Sequence, residues 1–152
     1  MYTQIVTTVI IIYSKGKFLL VQRALDDDIF PGKWQNAGGK MERGETLEQT
    51  AKRELAEETG IIIDRDLQFV MSYAWQKGTD EPWRLGVIML IDIDTPHDKV
   101  AIQLDSELAK YGWFTSEEIA NLDTIGPDSP TGTFGQISRA EEMIKRSSSN
   151  NK

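Results

Sequence analysis

Between Gly39 and Ile61 the chain has little conformational freedom. A glycine, a glutamate six residues on, and then Arg53-Glu54-Leu55-Ala56-Glu57-Glu58-Thr59-Gly60-Ile61 prescribe a loop, one helix and an abrupt stop. Thr46 followed three residues later by Gln49 has the form of a capping box, in which each residue's side chain satisfies the other's free amide. Gly60 stands where a helix would end in a left-handed turn, and good helix formers fill the interval, so the spacing predicts a helix over Thr46–Thr59. Leu47, Ala51 and Leu55 give that helix an apolar stripe, while Glu54, Glu57 and Glu58 crowd another face. Like charges at these spacings cost roughly 0.2–0.5 kcal/mol per pair. A magnesium-type cation, which takes oxygen ligands and bridges to phosphates, reverses that sign. The three glutamates therefore read as a metal site, with Mn2+ a possible substitute for Mg2+.

Arg53 lies four residues before Glu57 and can fold back to Glu45, so its expected part in the chemistry is to orient a carboxylate rather than to touch substrate. Gly38, Gly39 and Lys40 precede the helix and read as a loop whose small residues let the backbone approach a ligand. A carbonyl there, at Gly39, would complete the metal shell. Gly38 would line the substrate, and Lys40 would add positive charge beside phosphate.

Written as Gly-x5-Glu-x7-Arg-Glu-U-x-Glu-Glu-x-Gly-U, with U a bulky aliphatic residue, this segment resembles the signature of the Nudix hydrolases. Gly39, Glu45, Arg53, Glu54, Leu55, Glu57, Glu58, Gly60 and Ile61 meet every fixed position. At usual residue frequencies a chance match has odds on the order of one in a million or smaller. The resemblance implies an α/β fold, the Nudix α/β/α sandwich with a mixed sheet between helices. It makes Glu45 and Gly60 structural members of the motif. It also implies an arginine at the end of the second strand, here Arg23, that contacts phosphate; the alternative is an exposed strand-end arginine. Glu107, six residues before Trp113, matches a further glutamate that serves triphosphate-cleaving members as metal ligand or base; the alternative is a solvated loop carboxylate. The expected catalytic set is Glu54, Glu57 and Glu107 with Arg53.

A chain of 152 residues fits one domain, expected over residues 1–146, with Ser147–Lys152 a frayed polar tail. The absence of cysteine removes disulfides and thiol chemistry and fits a reducing cytoplasm. The one long apolar run, Ile5–Tyr13, is too short to span a bilayer and lacks a charged leader, so it reads as a buried strand and no membrane partner is expected. A net charge of −7 argues against nucleic acid as a partner, since such a partner needs a basic surface. Phosphates would need bound metal together with Arg23, Lys33, Lys40 and Arg43 to make the site locally attractive.

Gln4–Tyr13 and Phe18–Arg23 read as a hairpin around Ser14–Lys17, and Leu67–Gln76 and Trp83–Ile93 as two further strands. Tyr111–Phe114 is a short strand, Ser116–Leu122 a short helix, and Gln136–Arg146 an amphipathic closing helix. These elements suggest a mixed sheet covered on both faces. Trp34, Tyr73, Trp75 and Trp83 are candidates for stacking on a base or for packing, and Asn36 or Gln35 for reading a base edge. Asp26-Asp27-Asp28 lacks the glycine and terminal glutamate of a calcium loop and reads as a solvated turn. The sole histidine, His97, argues against histidine-based catalysis.

The expected function is magnesium-dependent hydrolysis of a nucleoside diphosphate derivative, first of all a nucleoside triphosphate to monophosphate and pyrophosphate. The compact chain, a first strand starting near Met1 and the Glu107–Trp113 spacing favour that choice. The alternatives are an ADP-ribose or sugar-nucleotide diphosphatase and, from another class, a catalytically silent nucleotide-sensing module. The protein would act as a monomer or a homodimer.

Overall fold

The computed structural model describes residues 3–150. Its first strand, β1 (Gln4–Ser14), explains the long apolar run: Ile10, Ile11 and Ile12 are all fully buried, because both faces of this strand are covered. Lys15 and Gly16 both take positive φ, as a two-residue hairpin turn of type I′ requires, and deliver the chain into β2 (Lys17–Arg23). The two strands pair only next to the turn, Tyr13 with Phe18 and Ser14 with Lys17, and then diverge.

The segment that fills the gap was expected to be a loop at Gly38–Lys40 and is instead β-structure. β3 (Trp34–Gln35) pairs with β2, and β4 (Ala37–Lys40) pairs antiparallel with β1, Thr8 opposite Gly39. Glycine suits this strand because a Cβ on Gly38 would overlap the Thr8 carbonyl oxygen and one on Gly39 the Glu54 carboxyl group. Close approach, which the sequence suggested, is met by a ladder rather than by a free loop.

Helix α1 (Leu47–Thr59) has the Thr46–Gln49 capping box and ends at Gly60 in the left-handed conformation. Next come β5 (Gln68–Gln76) and β6 (Trp83–Asp92), an antiparallel pair; β6 also runs parallel to β1 from Gln4 to Tyr13. After a 3₁₀ turn at His97–Lys99, β7 (Leu108–Phe114) pairs with the other edge of β2, so this strand starts three residues before the predicted Tyr111. Helix α2 (Ser116–Ile119) is capped by Thr115, one residue earlier than expected, and α3 (Thr133–Asn150) closes the chain. α3 outruns the predicted Gln136–Arg146 at both ends. Its polar face carries the i, i+4 pairs Glu141–Lys145 and Glu142–Arg146, and Ser147–Asn150 are helical where fraying was expected; Asn151 and Lys152 lie outside the described residues.

The result is one mixed seven-stranded sheet, along the path β3-β2-β1-β6-β5 with β4 and β7 attached to β1 and β2. Ala51 and Leu55 of α1 pack with Ile10, Ile12 and Leu19 on one face. Ile119 of α2 and Ile137 and Ala140 of α3 pack with Ile11, Phe18, Leu20 and Ile88 on the other. The α/β/α sandwich thus follows from β1 and β2 being apolar on alternate residues toward both layers.

Leu55 and Ile137 are fully buried on opposite faces. Leu55→Ala and Ile137→Ala should each lose about 2–5 kcal/mol, and the exposed cap change Thr46→Ala about 1 kcal/mol, in urea unfolding. A core loss below about 0.5 kcal/mol would mean that layer is not packed as described.

Candidate active site

Arg53 organises the start of the site. Its Nε and Nη2 donate to the two carboxylate oxygens of Glu45 at 2.7 and 2.9 Å, and its Nη1 donates to Glu54 at 2.9 Å and to Glu57 at 3.3 Å. Nη2 also donates to the Lys40 carbonyl at 3.0 Å, tying the end of β4 to the helix. The hydrogen bonds from Arg53, ahead of those from the Glu42 amide and Thr50, hold Glu45 down to about 2. The same partners, Glu45 first, raise the guanidinium further above its ordinary range. Glu45 is thus a permanent anchor, and Arg53 orients two helix carboxylates from it.

Glu54, Glu57 and Glu58 line one wall of a cleft of about 210 Å³, and Asp105 and Glu107 face them together with Arg23, Asp27 and Gln35. The opposite wall is fastened to α1: the Gln103 and Asp105 amides donate to the Thr59 and Glu58 carbonyls, which lie at the helix end and have no partner within the helix. Asp105 also accepts from the Glu107 amide at 2.8 Å, which directs the chain into β7. Burial raises the Glu54 carboxyl against the lowering effect of Arg53. Burial raises Glu58 to about 8, opposed by a hydrogen bond from the Gly38 amide (3.2 Å) and reinforced by the nearby Glu54 and Asp105 carboxylates. Burial, which disfavours the charged form, acts together with the neighbouring carboxylates to favour the neutral acid at Glu58.

Arg23, at the end of β2, makes a bidentate pair with Asp27 at 2.8 and 2.9 Å and donates to Gln35 at 3.2 Å. Asp27, read as part of a solvated turn, also accepts from the amides of Ile29 and Phe30, and the Ile29 amide leads in lowering its carboxyl. Arg23 and Gln35 line the cleft and also a second cavity of about 420 Å³. In that cavity Trp75 packs against Phe30, the Arg84 guanidinium lies 5.1 Å from the Trp75 ring, and Tyr73 and Asn36 form further parts of the wall.

A family model described as the NUDIX domain matches residues 2–131. The chain belongs to the Nudix family. It is 34% identical over 122 residues to the nucleoside triphosphatase NudI of Enterobacter sp. (strain 638), covering 74% of this chain and 83% of that protein. It is 32% identical over 135 residues to the uncharacterized Nudix hydrolase lmo0368 of Listeria monocytogenes, covering 88% and 76%. Among solved structures it resembles the MutT protein of Methanosarcina mazei Go1 (TM-score 0.73, 22% identity, 95% of this chain and 97% of that one). It also resembles the Nudix domain of Shewanella oneidensis NrtR, solved with ADP ribose (TM-score 0.74, 21% identity, 95% and 90%). These two likenesses establish the fold. As a Nudix hydrolase the protein acts on nucleotide derivatives, and Nudix hydrolases generally use divalent metal ions. Among the described residues no helix is long and apolar enough to cross a membrane.

Of the residues singled out from the sequence, the structure gathers Glu54, Glu57, Glu58, Glu107 and Arg23 at the cleft and puts Gly38 and Gly39 in the wall of the aromatic cavity. The side chains of Lys40 and Arg43 line neither space, and Lys33 pairs with Asp123. Trp34 stacks edge-on against Phe114, and Trp83 is 44% exposed, so only Tyr73 and Trp75 of the four aromatic candidates reach the cavity. Sequence reasoning missed Asp27, Asp105 and Gln136. Asp105 had a weak signal in its nearness to Glu107, whereas Asp27 and Gln136 become neighbours of the site only through tertiary folding.

Among the described residues no three His, Cys, Asp or Glu side chains stand together as a ready ion cage, because Arg53 holds Glu54 and Glu57. The donor chemistry nonetheless fits a hard divalent cation: the cleft gathers the carboxylate oxygens of Glu54, Glu57, Glu58, Asp105 and Glu107 within one small space. In metal-free protein, folding raises Glu58 from an ordinary 4.5 to about 8, so its contribution to stability is complete below about 4.5 and is lost as the pH rises through about 8. Glu58→Gln cannot ionise. In a chelator its melting temperature should match wild type at pH 4 and exceed it at pH 9 by roughly 10 °C; a difference independent of pH would contradict the burial assigned to Glu58.

Proposed function

We propose that the protein is a magnesium-dependent pyrophosphohydrolase that converts a nucleoside triphosphate to a monophosphate and pyrophosphate. The observation that carries this reading is the junction at Arg23 and Gln35, where an acidic cleft suited to metal and phosphate opens beside an aromatic cavity of about 420 Å³, large enough for a nucleoside. The name of the Enterobacter relative, a nucleoside triphosphatase, supports the same substrate class.

In this reading Glu54, Glu57, Glu58 and the Gly39 carbonyl would hold the cation. A magnesium ion held there would supply positive charge to the phosphate oxygens and make water a better nucleophile. Water adds to the α- or β-phosphorus, the P–O bond that bridges those two breaks so that monophosphate and pyrophosphate separate, and the water proton passes to a carboxylate of the cleft. Glu54 or Glu107 takes that proton. Arg53 keeps Glu54 and Glu57 turned toward the cleft and does not touch the substrate. Arg23, whose Nη2 donates to both oxygens of Asp27, exchanges that carboxylate for phosphate oxygens, which accept from the same guanidinium. The Gly38 backbone lines the substrate path, and Lys40, outside both spaces, adds positive charge at longer range. Trp75, its ring faced by Arg84, offers a stacking surface for the base.

A panel of nucleoside triphosphates, ADP-ribose and sugar nucleotides, assayed with and without magnesium and with pyrophosphatase to reveal pyrophosphate, tests the reading. Magnesium-dependent release of pyrophosphate is expected. Turnover confined to ADP-ribose or sugar nucleotides would replace the substrate class, and binding without turnover would replace the reaction. Glu57→Gln and Glu58→Gln should each lower kcat by about 100-fold or more while the fold is kept, since each removes a carboxylate that would hold the cation. Wild-type rates in both would sink the mechanism.

A further inference from the structure

We propose that Asn36, locked in one orientation by Gln136, selects the base by accepting a hydrogen bond from a base N–H. The inference rests on the triphosphatase reading and assigns the specificity-determining residue within the aromatic cavity.

The orientation follows from a chain of hydrogen bonds with a fixed end. The Thr131 carbonyl can only accept, and it accepts from Gln136 Nε2 at 2.9 Å. Gln136 Oε1 therefore faces Asn36, whose Nδ2 donates to it at 2.9 Å. Asn36 Oδ1 is the end left over, and it can only accept. Both amides are well buried, Asn36 4% and Gln136 7% exposed, and Oδ1 has no partner among the described residues. Leaving such an oxygen unpaired is costly, and a ligand donor would recover that cost.

The unmet hydrogen bonding is also concentrated in one place. Among the described residues four buried side-chain polar atoms lack partners, on Thr8, Arg23, Asn36 and Arg84, and all four residues line the aromatic cavity. Three of these atoms impose less on a ligand: the Thr8 hydroxyl can donate or accept, and the two arginine Nε atoms only donate. Asn36 alone is an acceptor held in a fixed direction. Its backbone sits where the chain passes from β3, paired with β2, to β4, paired with β1, so the residue is held from both sides. Every base carries an amino or imino N–H, but at different places on its edge, so a fixed acceptor distinguishes bases by where that N–H falls.

A double-mutant cycle between protein and substrate tests this. On wild-type enzyme, with the preferred triphosphate, each base N–H is replaced in turn by an N-methyl group. One replacement should lower kcat/KM roughly 10- to 100-fold, and Asn36→Leu should lower it by a similar factor on the parent substrate. Combined, the two changes should cost little more than either alone, because both remove the same hydrogen bond. Losses that multiply at every position, or no sensitivity to N-methylation, would show that Oδ1 is met by water and overturn the proposal. If Asn36→Leu fails to fold, Asn36→Asp, which keeps an acceptor, should retain the N-methyl penalty; loss of the penalty would count against the proposal. No turnover of any triphosphate by wild type would overturn the substrate reading and this one together, whereas turnover with multiplicative losses overturns only the role of Asn36.

Discussion

One guanidinium group holds the catalytic half of this protein in shape. Arg53 takes Glu45 with two donors, Glu54 and Glu57 with a third, and the Lys40 carbonyl with an added bond, so that loop, strand and helix share one cation. Without it, three carboxylates on adjacent turns of α1 would repel one another and splay. A planar fork of five donors can serve this many acceptors at fixed angles, which a lysine ammonium cannot. The arrangement leaves Glu58, which receives no hydrogen bond from Arg53, to accept one from the Gly38 amide instead.

The place of the acidic cleft depends on a defect in sheet regularity. β1 and β2 leave their hairpin as partners and then separate, β2 turning to β7 while β1 stays with β6. The short segment Trp34–Lys40 crosses the gap, pairing first with β2 and then with β1. This opening brings Arg23, Gln35 and Asn36 to the boundary between the acidic cleft and the aromatic cavity. An unbroken β1–β2 ladder would fill the same space with side chains and leave no room for a nucleotide.

Local signals in the chain account for most of the elements. α1 was legible to within one residue because its cap, stripe and stop are all encoded within fifteen positions, Thr46 to Gly60. The hairpin at Lys15-Gly16 was legible for the same reason. β3 and β4 were not, since Ala-Gly-Gly-Lys has low strand propensity and forms a strand only because β1 offers a ladder that tolerates no side chain at Gly38. The extra turns of α3 were hidden in a polar sequence that i, i+4 ion pairs support.

The amino-acid sequence alone determined the family, the helix that presents Glu54, Glu57 and Glu58, and the bond from Arg53 to Glu45, because these depend on spacing along one short segment. Tertiary structure alone decided which distant groups complete the site. Asp105 meets Glu58 because loop amides satisfy the end of α1, and Asn36 meets Gln136 across 100 residues of chain. It also turned Lys33 away to Asp123 and gave Asp27 the task of holding Arg23. Such pairings are set by how two layers of helix close on a split sheet, and no periodicity in a linear sequence records that closure.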